Sequence, residues 1–209
     1  MNHKEVILFL LAFLSIIITS CEKHYKVKKD SVYLIYCNEG SGYHKIPVIG
    51  ADAKTFEVLE LGHPYLFGRD KNNIYIDEEN LEGADPASFE YLGNNFFRDK
   101  NRTYHSHCYG SVKITICPIP GVDPDKIKLI KGNWAKAGNI LIFCNDTLTL
   151  SDIESFKLIK GDYGKTNTQI LFETKVIKEA DLATFEVVDY IRAKDKNHYY
   201  EYGIIKDNK

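Results

Sequence analysis

The sequence predicts an all-β protein of tandem repeats. Short antiparallel β-hairpins, each opened by a one-turn helical cap, would form a solenoid-like or curved sheet array, with a β-propeller-like closure as the alternative. Three observations point there. First, one unit recurs five times: Asp, two variable residues, Ser/Thr/Lys, a large apolar residue, one variable residue, then two apolar or aromatic residues. Its copies start at Asp52, Asp85, Asp123, Asp152 and Asp181, spaced 33, 38, 29 and 29 residues apart. Second, alternations such as Val32-Leu34-Tyr36, Val112-Ile114-Ile116 and Ile170-Phe172 have the period of two that marks strands. Third, 14 Tyr and 11 Phe against one Met and one Trp favour pleated, half-buried surfaces. No window of ten or more residues after the N-terminal apolar run carries a helical stripe.

Within each unit, Asp opens a capped turn. Asp85-Pro86 and Asp123-Pro124 place proline at the first helical position after an N-cap. β-Branched and aromatic residues follow so soon that only a single turn fits before a strand. The Phe or Ile after the cap is the expected anchor. Fourteen to eighteen residues after the cap, three copies carry a second signal: Asp70-Lys71-Asn72, Asp99-Lys100-Asn101 and Asp195-Lys196-Asn197. This tripeptide suits a three-residue hairpin loop in which Asn takes the left-handed position. The third unit has Gly138-Asn139 there and the fourth Thr166-Asn167. Glycines before the caps (Gly50, Gly83, Gly121) mark turns.

The alternation of capped turn and tripeptide resembles the DKNYYY family of bacterial proteins, named for the tripeptide and the tyrosines after it. The best local match is Asp195-Lys196-Asn197-His198-Tyr199-Tyr200, and the resemblance covers most of the chain after about residue 45. It implies no enzymatic activity.

The chain begins with a targeting pattern. A short polar start with Lys4 leads into the apolar run 6–18, then Thr19, Ser20 and Cys21. An apolar residue, two small residues and Cys resemble the bacterial lipobox. That implies a lipoprotein signal peptide over 1–20, cleavage before Cys21, and lipid (palmitate among it) on Cys21. The chain would then be a membrane-anchored lipoprotein of the bacterial cell envelope, facing periplasm or exterior. Residues 21–30, rich in lysine, read as a charged flexible tether, and 31–209 as the repeat domain. The opening stretch Ser31–Asn38 matches 139–145 in running Leu-Ile-aromatic-Cys-Asn, so 31–51 reads as the second half of an earlier unit.

A formal net charge of −2 with interspersed signs excludes the basic stripe that nucleic acid requires. Besides Cys21 there are Cys37, Cys108, Cys117 and Cys144. Cys108 and Cys117 flank a stretch that reads as a hairpin and are the candidate disulfide; otherwise the thiols serve as small apolar residues. His105-Ser106-His107-Cys108 is the one metal-like cluster. Period two puts His105 and His107 on one strand face, a zinc site would need Cys117 or His63 to join them, and surface strand residues are the simpler reading. The single Asp of each turn falls short of calcium's need for six or more oxygens. No nucleophile elbow, paired-acid motif or phosphate loop is present. No cofactor is expected.

Two functions follow as expectations. The favoured one is a non-catalytic scaffold that presents its repeats to an envelope protein or glycan, with Tyr104, Tyr109, Tyr199 and Tyr202 as candidate contacts. The other is a metal-binding envelope protein or enzyme centred on the long unit, 99–121.

Overall fold

The computed structural model describes residues 22–106 and 116–206. These residues contain no α-helix and form six small antiparallel sheets, none closed into a barrel. The first sheet has three strands: β1 (His24–Lys28), β2 (Ser31–Asn38) and β3 (Gly42–Pro47). The second comprises β4 (Glu57–Leu59), β5 (Phe67–Arg69), β6 (Ile74–Ile76) and β7 (Glu79–Leu81). The third comprises β8 (Glu90–Gly93), β9 (Phe96–Arg98), β10 (Thr103–Ser106) and β11 (Ile116–Pro118). The fourth holds β12 (Ile127–Lys131), β13 (Trp134–Ala137), β14 (Ile140–Phe143) and β15 (Asp146–Thr149). The fifth holds β16 (Lys157–Lys160), β17 (Tyr163–Lys165), β18 (Ile170–Phe172) and β19 (Lys175–Val176). The last holds β20 (Glu186–Val187), β21 (Arg192–Lys194), β22 (Tyr199–Glu201) and β23 (Ile204–Lys206).

Each repeat is therefore a complete four-stranded meander, a fuller unit than the hairpin expected. The strands are mostly three or four residues long, too short for alternation alone to reveal them. Residues 22–30 are not a tether. His24–Lys28 pairs with β2 from His24 opposite Ile35 to Lys28 opposite Ser31, and Tyr25 is buried. The lysines of this stretch are exposed, which is why its composition reads as solvated. The first sheet lacks the strand that opens the others, as a truncated unit would.

The capped turn recurs as expected. The amides of Thr55, Lys126, Ser155 and Thr184 donate to the carbonyls of Asp52, Asp123, Asp152 and Asp181. The turns at 124–126 and 153–155 are single 3₁₀ turns. Gly50, Gly83 and Gly121 precede their caps by two residues with φ of +83°, +73° and +74°, a region costly for any side chain with a Cβ.

The chain divides into two compact units, one ending at Pro86 and one beginning at Ala87. In each, the apolar clusters lie between consecutive sheets. In the first, Tyr25, Val32 and Leu34 pack with Tyr75 of the second sheet. In the second, Phe96 of the third sheet packs with Ala135 and Ile142 of the fourth. Trp134, Leu141 and Phe143 pack with Leu171 of the fifth, and Tyr163, Ile170 and Phe172 pack with Ala193 and Tyr200 of the last. Phe56, Phe156 and Phe185, the anchors after three of the caps, each contact the sheet before their own. Phe56 meets Tyr25 at 5.0 Å and Tyr75 at 5.8 Å between ring centroids. Phe185 meets Tyr163 at 5.8 Å and Tyr200 at 5.4 Å. Phe156 lies 5.2 Å from Trp134.

In the second and fifth sheets the anchor sits directly on the second strand, which has no side chain there. A Cβ on Gly68 would collide with the Phe56 ring, and one on Gly164 with the Phe156 ring. We expect Gly164→Ala to destabilise the protein by about 1–3 kcal/mol in chemical denaturation through forced repacking of Phe156. The neighbouring exposed Lys165→Ala should stay within about 0.5 kcal/mol.

Candidate functional site

The tripeptide and the capped turn form one hydrogen-bond network. Asp70 Oδ1 accepts the amides of Asn72 (2.7 Å) and Asn73 (2.8 Å), while its own amide donates to the Asn73 carbonyl. Its Oδ2 accepts the amide of the cap residue Asp52 (2.8 Å) and the hydroxyl of Tyr75 (2.9 Å). Asp195 repeats this with Asn197, His198, Asp181 and Tyr200. Asp99 does so with Asn101, Arg102 and Tyr104.

Two further links close the network. The cap hydroxyl of Thr55, Ser88, Ser155 or Thr184 accepts the amide of Lys71, Lys100, Asn167 or Lys196. The ammonium groups of Lys71 and Lys196 pair with Asp52 and Asp181 at 2.9 and 2.7 Å.

This geometry corrects the reading of the asparagines. Asn72, Asn101 and Asn197 are absent from the positive-φ residues. The Asp side chain supplies the acceptor that closes the loop, so no left-handed residue is needed. Positive φ occurs instead at Asp77, Cys144, Glu173 and Tyr202, after the third strand of four sheets, where nothing in the sequence announces it.

The network sets the electrostatics. Burial pulls the Asp195 carboxyl upward, but the amide of Asp181, the Tyr200 hydroxyl and the amides of Asn197 and His198 outweigh it and hold the group at about 2. Asp70 is lowered in the same way. Burial, then the hydrogen bond to Asp70, pushes Tyr75 up to about 12. These acids remain ionised and these phenols protonated at neutral pH, which suits structure rather than proton transfer.

The units without the tripeptide use substitutes. Asp152 accepts the hydroxyl of Thr168 (2.8 Å), and Thr166 takes the place of the hairpin Asp. In the fourth sheet the loop shrinks to Gly138-Asn139, with Gly138 at φ +58°. Asp123 caps the amide of Asp125 and pairs with Lys126 at 2.9 Å. Asp85 opens the turn at 86–88.

Cys21, His107, Cys108 and Tyr109 lie outside the described residues, and with them the lipidation site and one half of the Cys108–Cys117 pairing. Cys37 is disulfide-bonded, which corrects its reading as a free thiol, and its partner lies outside the described residues. Cys144 is a buried thiol, pushed up to about 12 by burial first and then by Glu173, Asp162 and Asp146. His105 is fully buried rather than a surface residue, with its ring edge-on to Phe96 at 4.5 Å. Cys117 does come opposite it in the register. No group of three or more His, Cys, Asp or Glu fit to hold a metal occurs among the described residues. Tyr104 is buried on Asp99 and is no surface contact, whereas Tyr199 and Tyr202 are 50 and 54% exposed.

One surface feature escaped the sequence. A groove of about 590 Å³ opens between the turn Lys131–Asn133, the turn Lys160–Asp162 and Tyr190. Its floor includes Trp134 and its rim Ile130 and Ile159. The same Leu-Ile-Lys-Gly sequence at 129–132 and 158–161 builds two walls of it, and that recurrence was the available signal.

The chain matches the model described as the DKNYY family over residues 25–203, and it belongs to that family. No curated protein and no solved structure matches it.

The depressed carboxyls make stability acid-sensitive. Asp195 titrates near 2 when folded against the ordinary 3.8, so its contribution is complete above about pH 4 and is lost as pH falls to 2. Denaturation measured across that window should show stability falling steeply in the native protein and less steeply in Asp195→Asn.

Proposed function

We propose that this DKNYY-family protein is a membrane-anchored envelope lipoprotein whose β-repeat domain binds a protein or glycan and performs no catalysis. The anchor rests on the Cys21 pattern at the end of the apolar run 6–18. The observation that carries the binding role is the division of labour among polar and aromatic residues. The recurring Asp and Ser/Thr, and in the three units with the tripeptide one Tyr each, are consumed in hydrogen bonds inside the repeats. Of the four tyrosines at least half exposed among the described residues, Tyr43 lies on β3, and the other three, Tyr190, Tyr199 and Tyr202, lie on the last sheet and its turns, beside Ile204 at 63%. Exposed aromatic groups with a polar tip and an apolar body are the usual anchors of recognition surfaces.

Crosslinking the lipidated protein in its native envelope, followed by mass spectrometry of what co-purifies, tests this reading. A stoichiometric partner is expected, lost in Cys21→Ala and weakened in Tyr199→Ala/Tyr202→Ala. The Cys21→Ala chain should also leave the membrane fraction. Capture that is indifferent to all of these substitutions would reject the scaffold role.

A further inference from the structure

The groove beside Trp134 is where neighbouring repeats fail to complete one another. At the two equivalent positions held by tyrosine, the knob's polar atom is satisfied. Tyr25 donates its hydroxyl to the Asp77 carbonyl at 2.6 Å. Tyr163 donates to the Ile191 carbonyl at 2.8 Å and accepts the Gly203 amide. All three knobs touch the anchor of the next unit, Phe56, Phe185 or Phe156. At Trp134 the buried indole N–H finds no acceptor among the described residues. The groove that Trp134 lines, about 590 Å³, falls within the range of about 300–1,000 Å³ that ligand pockets occupy.

The lining says what would enter. Tyr190 is 72% exposed and offers a flat ring. Lys131 and Lys160 are exposed at the rim, with Lys160 steadied by the Val188 carbonyl at 3.0 Å. Asn133 and the half-buried Asp162 add polar groups to bond hydroxyls. An extended peptide fits less well. It would need the edge strands β12 and β16, and both are interrupted in the groove by bulges, between Leu129 and Lys131 and between Leu158 and Lys160. Bulges break the row of backbone groups that strand addition uses.

From this juxtaposition we infer that the groove binds an acidic saccharide, a sugar chain carrying carboxylates. A pyranose ring stacks on Tyr190, its carboxylate meets Lys131 and Lys160, and its hydroxyls bond Asn133 and Asp162. The inference rests on the binding role proposed above and names the ligand class for it.

Trp134 is the only tryptophan in the chain, so its emission reports on the groove directly. The full-length protein is titrated with a galacturonic acid tetramer, with calorimetry alongside. Saturable binding is expected, weakened roughly tenfold by Lys131→Ala and by Tyr190→Ala, as loss of a charge-assisted contact or a stacking surface implies. Both side chains are exposed, so both variants should fold. A neutral glucose tetramer should bind roughly tenfold more weakly. No binding by either method would overturn the inference, as would equal affinity for the neutral sugar. Tighter binding of tetraglutamate with the same dependence on Lys131 would also overturn it and assign the groove to acidic peptides. Were the lipidated protein still to capture an envelope partner, the saccharide would fall alone and the scaffold role would stand.

Discussion

The carboxylate of the hairpin aspartate is the constraint on which the three repeats that carry the tripeptide depend. One oxygen closes the hairpin through two amides, and the other joins the cap amide to the tyrosine hydroxyl of the third strand. Hydrogen bonds to a charged group contribute about 1.5–3 kcal/mol each, and a buried carboxylate left without them would be far costlier than a neutral residue. Strands of three residues have little stability of their own. The carboxylate fixes the loop, the turn and a core aromatic at once, and sheet pairing and anchor packing follow. Tyr75, Tyr104 and Tyr200 each stand five residues after that Asp because the third strand enters the core there.

This explains what was legible in the sequence. The period, the β class, the capped turns and the anchors at Phe56, Phe156 and Phe185 follow from local chemistry that repeats visibly. The role of the asparagines does not. A side chain substituting for a backbone acceptor leaves the same residues in the same order as a loop closed by a left-handed Asn. Tyr104 read as a surface residue because a tyrosine beside charged neighbours gives no sign of which face it takes. The constant offset from Asp to Tyr was the missing clue, and it would have joined two signals that otherwise read as independent. His24–Lys28 was masked by its lysines, although Tyr25 is the knob that packs on Phe56.

The groove was illegible for a different reason. It arises where a recurrence is imperfect: an indole stands where other units have Tyr or Phe, and Tyr190 stands where the two preceding units have Gly132 and Gly161. Repeats use their regular positions to hold the stack and are free to vary elsewhere. In this chain the cap and hairpin positions are taken up by internal bonds, while Lys131, Lys160 and Tyr190 present basic and aromatic side chains to solvent.

Amide hydrogen exchange gives the most direct test of the carboxylate's central role. The amides of Asp52, Asn72 and Asn73 have a carboxylate oxygen of Asp70 as their acceptor. The account predicts that at neutral pH they are protected to a degree comparable with strand amides, and that all three lose protection together in Asp70→Ala. Exchange of these amides at the rate of an open loop in the native protein would contradict it.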